Sequence, residues 1–384
     1  MIPVTKPFFP TEKEFTSMVR SIWERQWLTN NGPLVNTLEL QLKDYLEVKH
    51  LLFVTNGTIA LQLAIKALEL TGEIITTPFT FVATTSSIVW QGCTPVFVDI
   101  DPNTFNIDPS KIEAAITLRT SAILATHVYG NPCDVEAIEA IANKHNLKVI
   151  YDAAHCFGTK YKGKSIFEYG DITTTSFHAT KLFHTVEGGA IFTGDAELTR
   201  KMAVMRNFGY SDTDTFSELG INAKNCELHA AMGLCNLKYI GAILTKRREL
   251  YLSYLTRLAH LGVGFQAIQP GTLYNHAYFP VLFDTEETML KAKKKLELEQ
   301  IYCRRYFYPP LSELPYVDQK SVPVCESIAS RILCLPLYHT LSVSELDIIC
   351  RILLRDKKQK RAVKAEVAEI QVPGFNTVPA RLLN

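Results

Sequence analysis

No uninterrupted apolar stretch among the 384 residues approaches the roughly 18 that a membrane-spanning helix requires. The amino terminus, MIPVTKPFFPTEKEF, lacks the basic-then-apolar layout of a secretory leader. These absences predict a cytoplasmic protein with no membrane partner. An excess of one charge is missing too. Forty Lys and Arg against 39 Asp and Glu leave a formal net charge of +1, too weak a field for a broad nucleic-acid-binding face. The nine cysteines, at 93, 133, 156, 226, 235, 303, 325, 334 and 350, form no CxxC pair. An odd, scattered set argues against a disulfide frame or a zinc site and predicts reduced thiols used in packing. Repeats and low-complexity tracts are absent as well.

What is present is a chain that is 47% apolar and 21% charged, long enough for two packed domains. Between residues 50 and 195, short β-rich runs (LLFVT, EIITTP, PVFVDI, SAILATHV, KVIYDA, ITTTSF, AIFTG) alternate with segments of helical spacing at 57–70, 80–91 and 134–145. This rhythm predicts an α/β fold whose mostly parallel sheet carries helices on both faces. Ligands of such sheets bind beyond the carboxyl ends of the strands. From about residue 245 the texture changes to long charged helices around a strand-like NHAYFPVLFD. The reading is therefore a large domain over 1–245, a smaller one over 246–355, and an extension over 356–384. That extension opens with the basic run RDKKQKR and ends in a Pro- and Gly-containing segment. It reads as a solvated helix end and loose tail, or alternatively as a polyanion-binding arm.

Several residues fall where strands should end. In TNGTIAL, Gly57 and Thr58 open a helix, so they either form a turn and cap or meet an anion at the helix amino terminus. Phe81, in TPFTFVAT, is either core or a flat surface for ring stacking. Asp152, in KVIYDAAHCFG, follows a buried-looking strand, and a carboxylate there needs a helix to cap or a cation to face. Lys181, in TSFHATKLFHTVEGGA, is a surface charge unless its neighbours give it a purpose. Taken together, phosphate donors (Gly57, Thr58, Ser176), a stacking ring, an acid and a lysine match the needs of pyridoxal 5′-phosphate. That cofactor requires an amine for its aldehyde, an acid beside its pyridine nitrogen and donors for its phosphate.

The segments DAAHCFG, SFHATK followed by EGGA, GINAKNCELHAAMGL and WLTNNGPLV resemble the DegT/DnrJ/EryC1/StrS family of sugar aminotransferases, over about residues 1–350. The resemblance implies the pyridoxal phosphate-dependent fold type I, like aspartate aminotransferase, in a homodimer with shared active sites. It implies that Lys181 binds the cofactor aldehyde and serves as proton carrier, that Asp152 contacts the pyridine nitrogen, and that His155 lies beside the ring on which Phe81 stacks. Gly57, Thr58 and Ser176 match the phosphate binders, and Asn222 matches an asparagine reaching the phosphate from the other subunit. By spacing alone Asn222 is also a turn before a helix.

The substrates implied are L-glutamate and a nucleotide-linked keto-sugar. MIPVTKPFFP and WERQWLTNNGP resemble members that aminate carbon 4 of dTDP-4-dehydro-6-deoxyglucose, which implies dTDP-4-amino-4,6-dideoxy-D-glucose as product. Amination at carbon 3 of a 3-keto sugar is the alternative, and a non-catalytic cofactor-binding regulator is a further one. For the sugar nucleotide, Thr29, His184, Arg304, Tyr306 and Tyr308 are candidates, with Arg305 beside them. The run 302–310 also reads as a solvated strand edge, and His184 as a turn residue. One departure from the family stands out: Leu182 follows the lysine where asparagine is common.

Overall fold

In the computed structural model, which describes residues 1–355, the chain opens with helices α1 (Glu12–Arg25) and α2 (Pro33–Leu46). Thr11 and Glu14 cap α1 reciprocally, as the Thr-x-x-Glu spacing allows. The α/β series follows: β1 (His50–Val54), α3 (Gly57–Ala67), β2 (Glu73–Thr76), α4 (Val82–Trp90), β3 (Thr94–Phe97), β4 (Thr120–Thr126), α5 (Val135–His145), β5 (Lys148–Asp152), β6 (Ile172–Ser176), β7 (Gly189–Thr193) and α6 (Ala196–Met205). Each of the seven strands overlaps an expected run, four of them starting one residue earlier. They form one sheet in the order β1-β7-β6-β5-β4-β2-β3, in which β7 alone runs antiparallel to its neighbours.

Alternation along each strand divides two apolar layers. Phe53, Ile75, Ile123, Tyr151 and Phe192 join the layer that takes in α1, α2 and α5. Val54, Ile74, Leu124, Ile150 and Ile191 join the opposite layer under α3 and α6. Each such side chain, fully buried, contributes about 1.5–3 kcal/mol. With both faces covered, the strand ends are where backbone and polar side chains stay open to a ligand.

Further along the chain come α7 (Glu227–Leu237), α8 (Ile240–Leu258), β8 (Phe279–Leu282), α9 (Glu286–Leu298), α10 (Pro323–Arg331) and β9 (Ile332–Leu335), with β8 and β9 paired antiparallel, besides two small sheets of short strands. A further apolar cluster, containing Leu250, Tyr254, Phe279, Met289 and Leu335, packs among them. Among the described residues no helix is long and apolar enough to cross a membrane. The nine cysteines are free, and all but Cys226 are buried. The carboxyl-terminal extension expected over 356–384 lies outside the described residues.

Candidate active site

The parallel strands deliver their carboxyl ends to one edge, and the loops leaving that edge carry the chemistry. From β6 the chain passes through a turn in which the Lys181 amide donates to the His178 carbonyl at 2.8 Å. Three residues then fasten the loop. Leu182 packs against two apolar clusters. Phe183 stacks on Phe157, ring centroids 4.3 Å apart. His184 is buried, its Nε2 donating to the Phe8 carbonyl at 2.7 Å and its Nδ1 accepting from the Val186 amide at 3.2 Å. The departure at Leu182 thus supplies an apolar anchor to the loop that presents the lysine.

Lys181 itself is half-buried, in a cleft lined by Ala154, His155, Phe157, Ser176 and Tyr278. Among the described residues nothing hydrogen-bonds to its Nζ. Burial pulls its ammonium pKa down to about 8, although the charge of Asp152 works in the other direction. A cleft that weakens the proton's hold makes this amine both a nucleophile and a base near neutrality.

Asp152, the last residue of β5, is buried; its Oδ2 accepts from Thr84 Oγ1 at 2.7 Å and its Oδ1 from the Ala154 amide at 3.1 Å. Burial raises its pKa, while those two donors and the charge of Lys181 oppose the rise. His155 is buried too, and its Nδ1 accepts from the Tyr129 amide at 3.2 Å, which leaves the ring proton on Nε2. Its pKa is driven well below the ordinary range by burial and then by the Lys181 charge. The imidazole is therefore a neutral plate, near-parallel to Phe307 at 5.9 Å.

Gly57 begins α3, where Asn56 caps Ile59 through its side chain and Ala60 through its carbonyl. The amides of Gly57 and Thr58 have no partner among the described residues. Ser176 lies directly opposite: a Cβ on Gly57 would stand 2.9 Å from Ser176 Cβ. Gly189, paired with both Val54 and Ser176, closes this cradle from below, since a Cβ there would stand 2.5 Å from the Asn56 carbonyl carbon. Phe81 heads α4 and is 58% exposed, a ring held at the edge and outside the core.

The structure brings Gly57 and Ser176 together, and likewise Asp152, His155 and Lys181. Other expected residues sit elsewhere. Asn222 is exposed and accepts from Lys224 Nζ at 2.8 Å. Thr29 is exposed, its carbonyl accepting from Trp27 Nε1 at 2.6 Å. Arg304 and Tyr308 are exposed, and Tyr306 is half-buried with its ring edge-on to Tyr278 at 5.6 Å. Two candidates already have partners within the chain. His184 has both ring nitrogens engaged by backbone, in keeping with its reading as a turn residue. Arg305 pairs with Glu286 at 2.7 Å, donates to the Ser330 carbonyl and lies 3.5 Å above the Tyr308 ring, so part of its guanidinium is engaged within the chain.

Sequence reasoning missed Thr84, Tyr129 and Tyr278. Tyr129 follows β4 as Asp152 ends β5, and the same strand-end logic applied to THVYG would have found it. It takes the left-handed conformation, φ 60°, uncommon for a bulky residue. Tyr278 arrives from beyond residue 245, and no local signal ties it to the strand ends.

The donor set fits pyridoxal phosphate: an unpaired amine, a buried carboxylate, two flat rings, and a helix head with free amides against a serine hydroxyl. The model of the DegT/DnrJ/EryC1/StrS aminotransferase family matches residues 10–354. The dTDP-4-amino-4,6-dideoxy-D-glucose transaminase of Escherichia coli is 41% identical, the match covering 92% of this chain and 98% of that one. The transaminase of the same description from Shigella dysenteriae is 42% identical over 90% of this chain and 96% of its own. The crystal structure of DesI in the presence of its TDP-sugar product superposes with a TM-score of 0.88 at 34% identity, covering 96% of this chain and 95% of that one. The chain belongs to the DegT/DnrJ/EryC1/StrS family of pyridoxal phosphate-dependent aminotransferases.

Proposed function

We propose that this aminotransferase moves the amino group of L-glutamate to carbon 4 of dTDP-4-dehydro-6-deoxy-D-glucose, giving dTDP-4-amino-4,6-dideoxy-D-glucose and 2-oxoglutarate. The observation that carries the chemistry is the unpaired Lys181 amine, with a pKa near 8, beside buried Asp152. Support for the sugar comes from the two transaminases that match nearly end to end. Pyridoxal phosphate, when bound, supplies an aldehyde that takes up amines and an electron-poor ring that accepts charge.

In this reading the chain's own residues do the rest. Gly57 and Thr58 amides and the Ser176 hydroxyl hold the phosphate, where the dipole of α3 favours an anion. Phe81 and neutral His155 flank the ring, and Asp152 holds a proton on its nitrogen. Lys181 Nζ, whose pKa burial lowers toward neutrality, takes the proton from the donor's Cα and in the second half-reaction returns one to carbon 4 of the sugar. Which face of the sugar meets that proton sets the configuration of the amine. Thr29, Arg304, Tyr306 and Tyr308 remain the proposed sugar-nucleotide contacts.

We propose further that the working unit is a cytoplasmic homodimer in which Asn222 completes the partner's phosphate site. Exposed Phe208, Phe216, Leu219 and Ile221 surround Asn222 along the chain and supply the apolar area that an interface uses. Nine free thiols suit a reducing compartment. The separate apolar cluster beyond residue 245 supports a division into 1–245 and 246–355.

The test is purified protein with glutamate and the keto-sugar. We expect 2-oxoglutarate and amino sugar in equal amounts, and no turnover from Lys181→Ala. Appreciable turnover by Lys181→Ala, or no 2-oxoglutarate from the wild type, contradicts the proposal.

A further inference from the structure

Three buried threonines form a line that ends on Asp152. Thr126 Oγ1 donates to Thr80 Oγ1 at 3.1 Å, the Thr80 and Thr84 hydroxyls are 3.0 Å apart, and Thr84 Oγ1 donates to Asp152 Oδ2 at 2.7 Å. None of the three is more than 2% exposed. They come from separate places: the end of β4, the loop before α4, and the first turn of α4.

A hydroxyl has one proton to give, and this fixes the direction of the line. Thr84 gives its proton to Asp152, so the contact between Thr80 and Thr84 has Thr80 as donor. The Thr80 oxygen in turn receives from Thr126. Every O–H therefore points toward Asp152, whose other oxygen is taken by the Ala154 amide. A protonated Asp152 would need an acceptor for its new hydrogen, and Thr84 could offer its oxygen only if its hydroxyl turned away and the line behind it reversed. In a water-poor interior such aligned bonds reinforce one another.

We infer that Thr84, backed by Thr80 and Thr126, is a positioning residue that holds Asp152 as an oriented carboxylate for the cofactor's ring nitrogen. This rests on the pyridoxal phosphate role given to Asp152 above. The titratable groups facing Asp152 are few. Lys181 comes from the loop after β6, and Cys156 and His155 come from the turn after β5. Just after β4, the His127 amide donates to the Asp152 carbonyl while burial holds the imidazole neutral, its pKa about 3. Of these only Lys181 carries a charge that favours the carboxylate, and it acts without a hydrogen bond to Asp152. The threonine line is the side-chain support bonded directly to it.

The experiment compares wild type, Thr84→Val, Thr84→Ser and Thr126→Val. Two readouts are taken on each: pyridoxal phosphate affinity by equilibrium dialysis, and the pH midpoint of the acid-side change in the bound cofactor's visible band. Removing a hydrogen bond to a charged group weakens binding by roughly tenfold or more. Thr84→Val is expected to lose affinity by that factor and to move the midpoint to higher pH, because Asp152 then takes a proton more readily. Thr84→Ser restores both values. Thr126→Val, two hydroxyls away, moves the midpoint in the same direction by less. A Thr84→Val protein with wild-type affinity and midpoint overturns the inference. If Thr84→Val fails to fold, an unchanged midpoint in Thr126→Val overturns it instead. Wild-type protein that takes up no pyridoxal phosphate overturns the functional reading and this inference with it.

Discussion

Replacing Lys181 by methionine should stabilise the cofactor-free protein, and by an amount that depends on pH. Burial lowers the ammonium pKa from 10.5 to about 8. At ~1.4 kcal/mol per pH unit this corresponds to about 3.5 kcal/mol of penalty in the folded state, and the side chain's contact with solvent reduces it to roughly 1–3 kcal/mol. The sign follows from the two pKa values. Below pH 8 the lysine is charged whether the chain is folded or not, and the penalty is complete. Between pH 8 and 10.5 the folded form gives up its proton first, so the penalty fades as pH rises; above 10.5 it is gone. Protein stripped of pyridoxal phosphate should therefore gain about 1–3 kcal/mol from Lys181→Met in urea unfolding at pH 7. Most of that gain should vanish at pH 10. The difference between the two proteins is the quantity to follow, because buried Tyr129 and Tyr254, whose pKa values burial raises, change the absolute stability of both alike. A variant no more stable than wild type at pH 7, or a gain of equal size at pH 10, would refute the reasoning.

Gly57→Ala places a methyl 2.9 Å from Ser176 Cβ, so the cradle must widen; cofactor affinity by dialysis should fall at least tenfold, with the fold intact by circular dichroism. Glu227 accepts from the amides of both Leu34 and Val35 at 2.9 Å inside the protein. Glu227→Ala strands both amides and should cost about 2–4 kcal/mol in urea unfolding. His184→Ala should also lower the unfolding midpoint, by about 1–3 kcal/mol for its buried hydrogen bonds, while the KM for the keto-sugar stays unchanged. A raised KM with normal stability would return His184 to the substrate site.

The alternation of β-rich and helical runs located the seven strands because a sheet buried on both faces demands continuous apolar segments that interrupt the polar text. Strand-end position then singled out Asp152, Ser176 and Lys181, residues whose chemistry is informative wherever the chain places them. Thr84 was not legible. A threonine in a helix gives no sign of its partner, and the bond to Asp152 exists only because the tertiary fold brings the first turn of α4 to the end of β5. The partner of Arg305 was hidden for a related reason: nothing in CRRYFYPP reveals that Glu286, from α9, pairs with it. Tyr278 depends on tertiary placement, and only the family resemblance pointed to Asn222.

One isotope experiment reads out the assigned reaction at the atom concerned. Purified protein is incubated with dTDP-4-dehydro-6-deoxy-D-glucose and glutamate whose nitrogen is isotopically labelled, and the sugar product is read by NMR. The label should appear on carbon 4, equatorial, with 2-oxoglutarate formed in step. A label on carbon 3, an axial amine, or an unlabelled sugar would contradict the account.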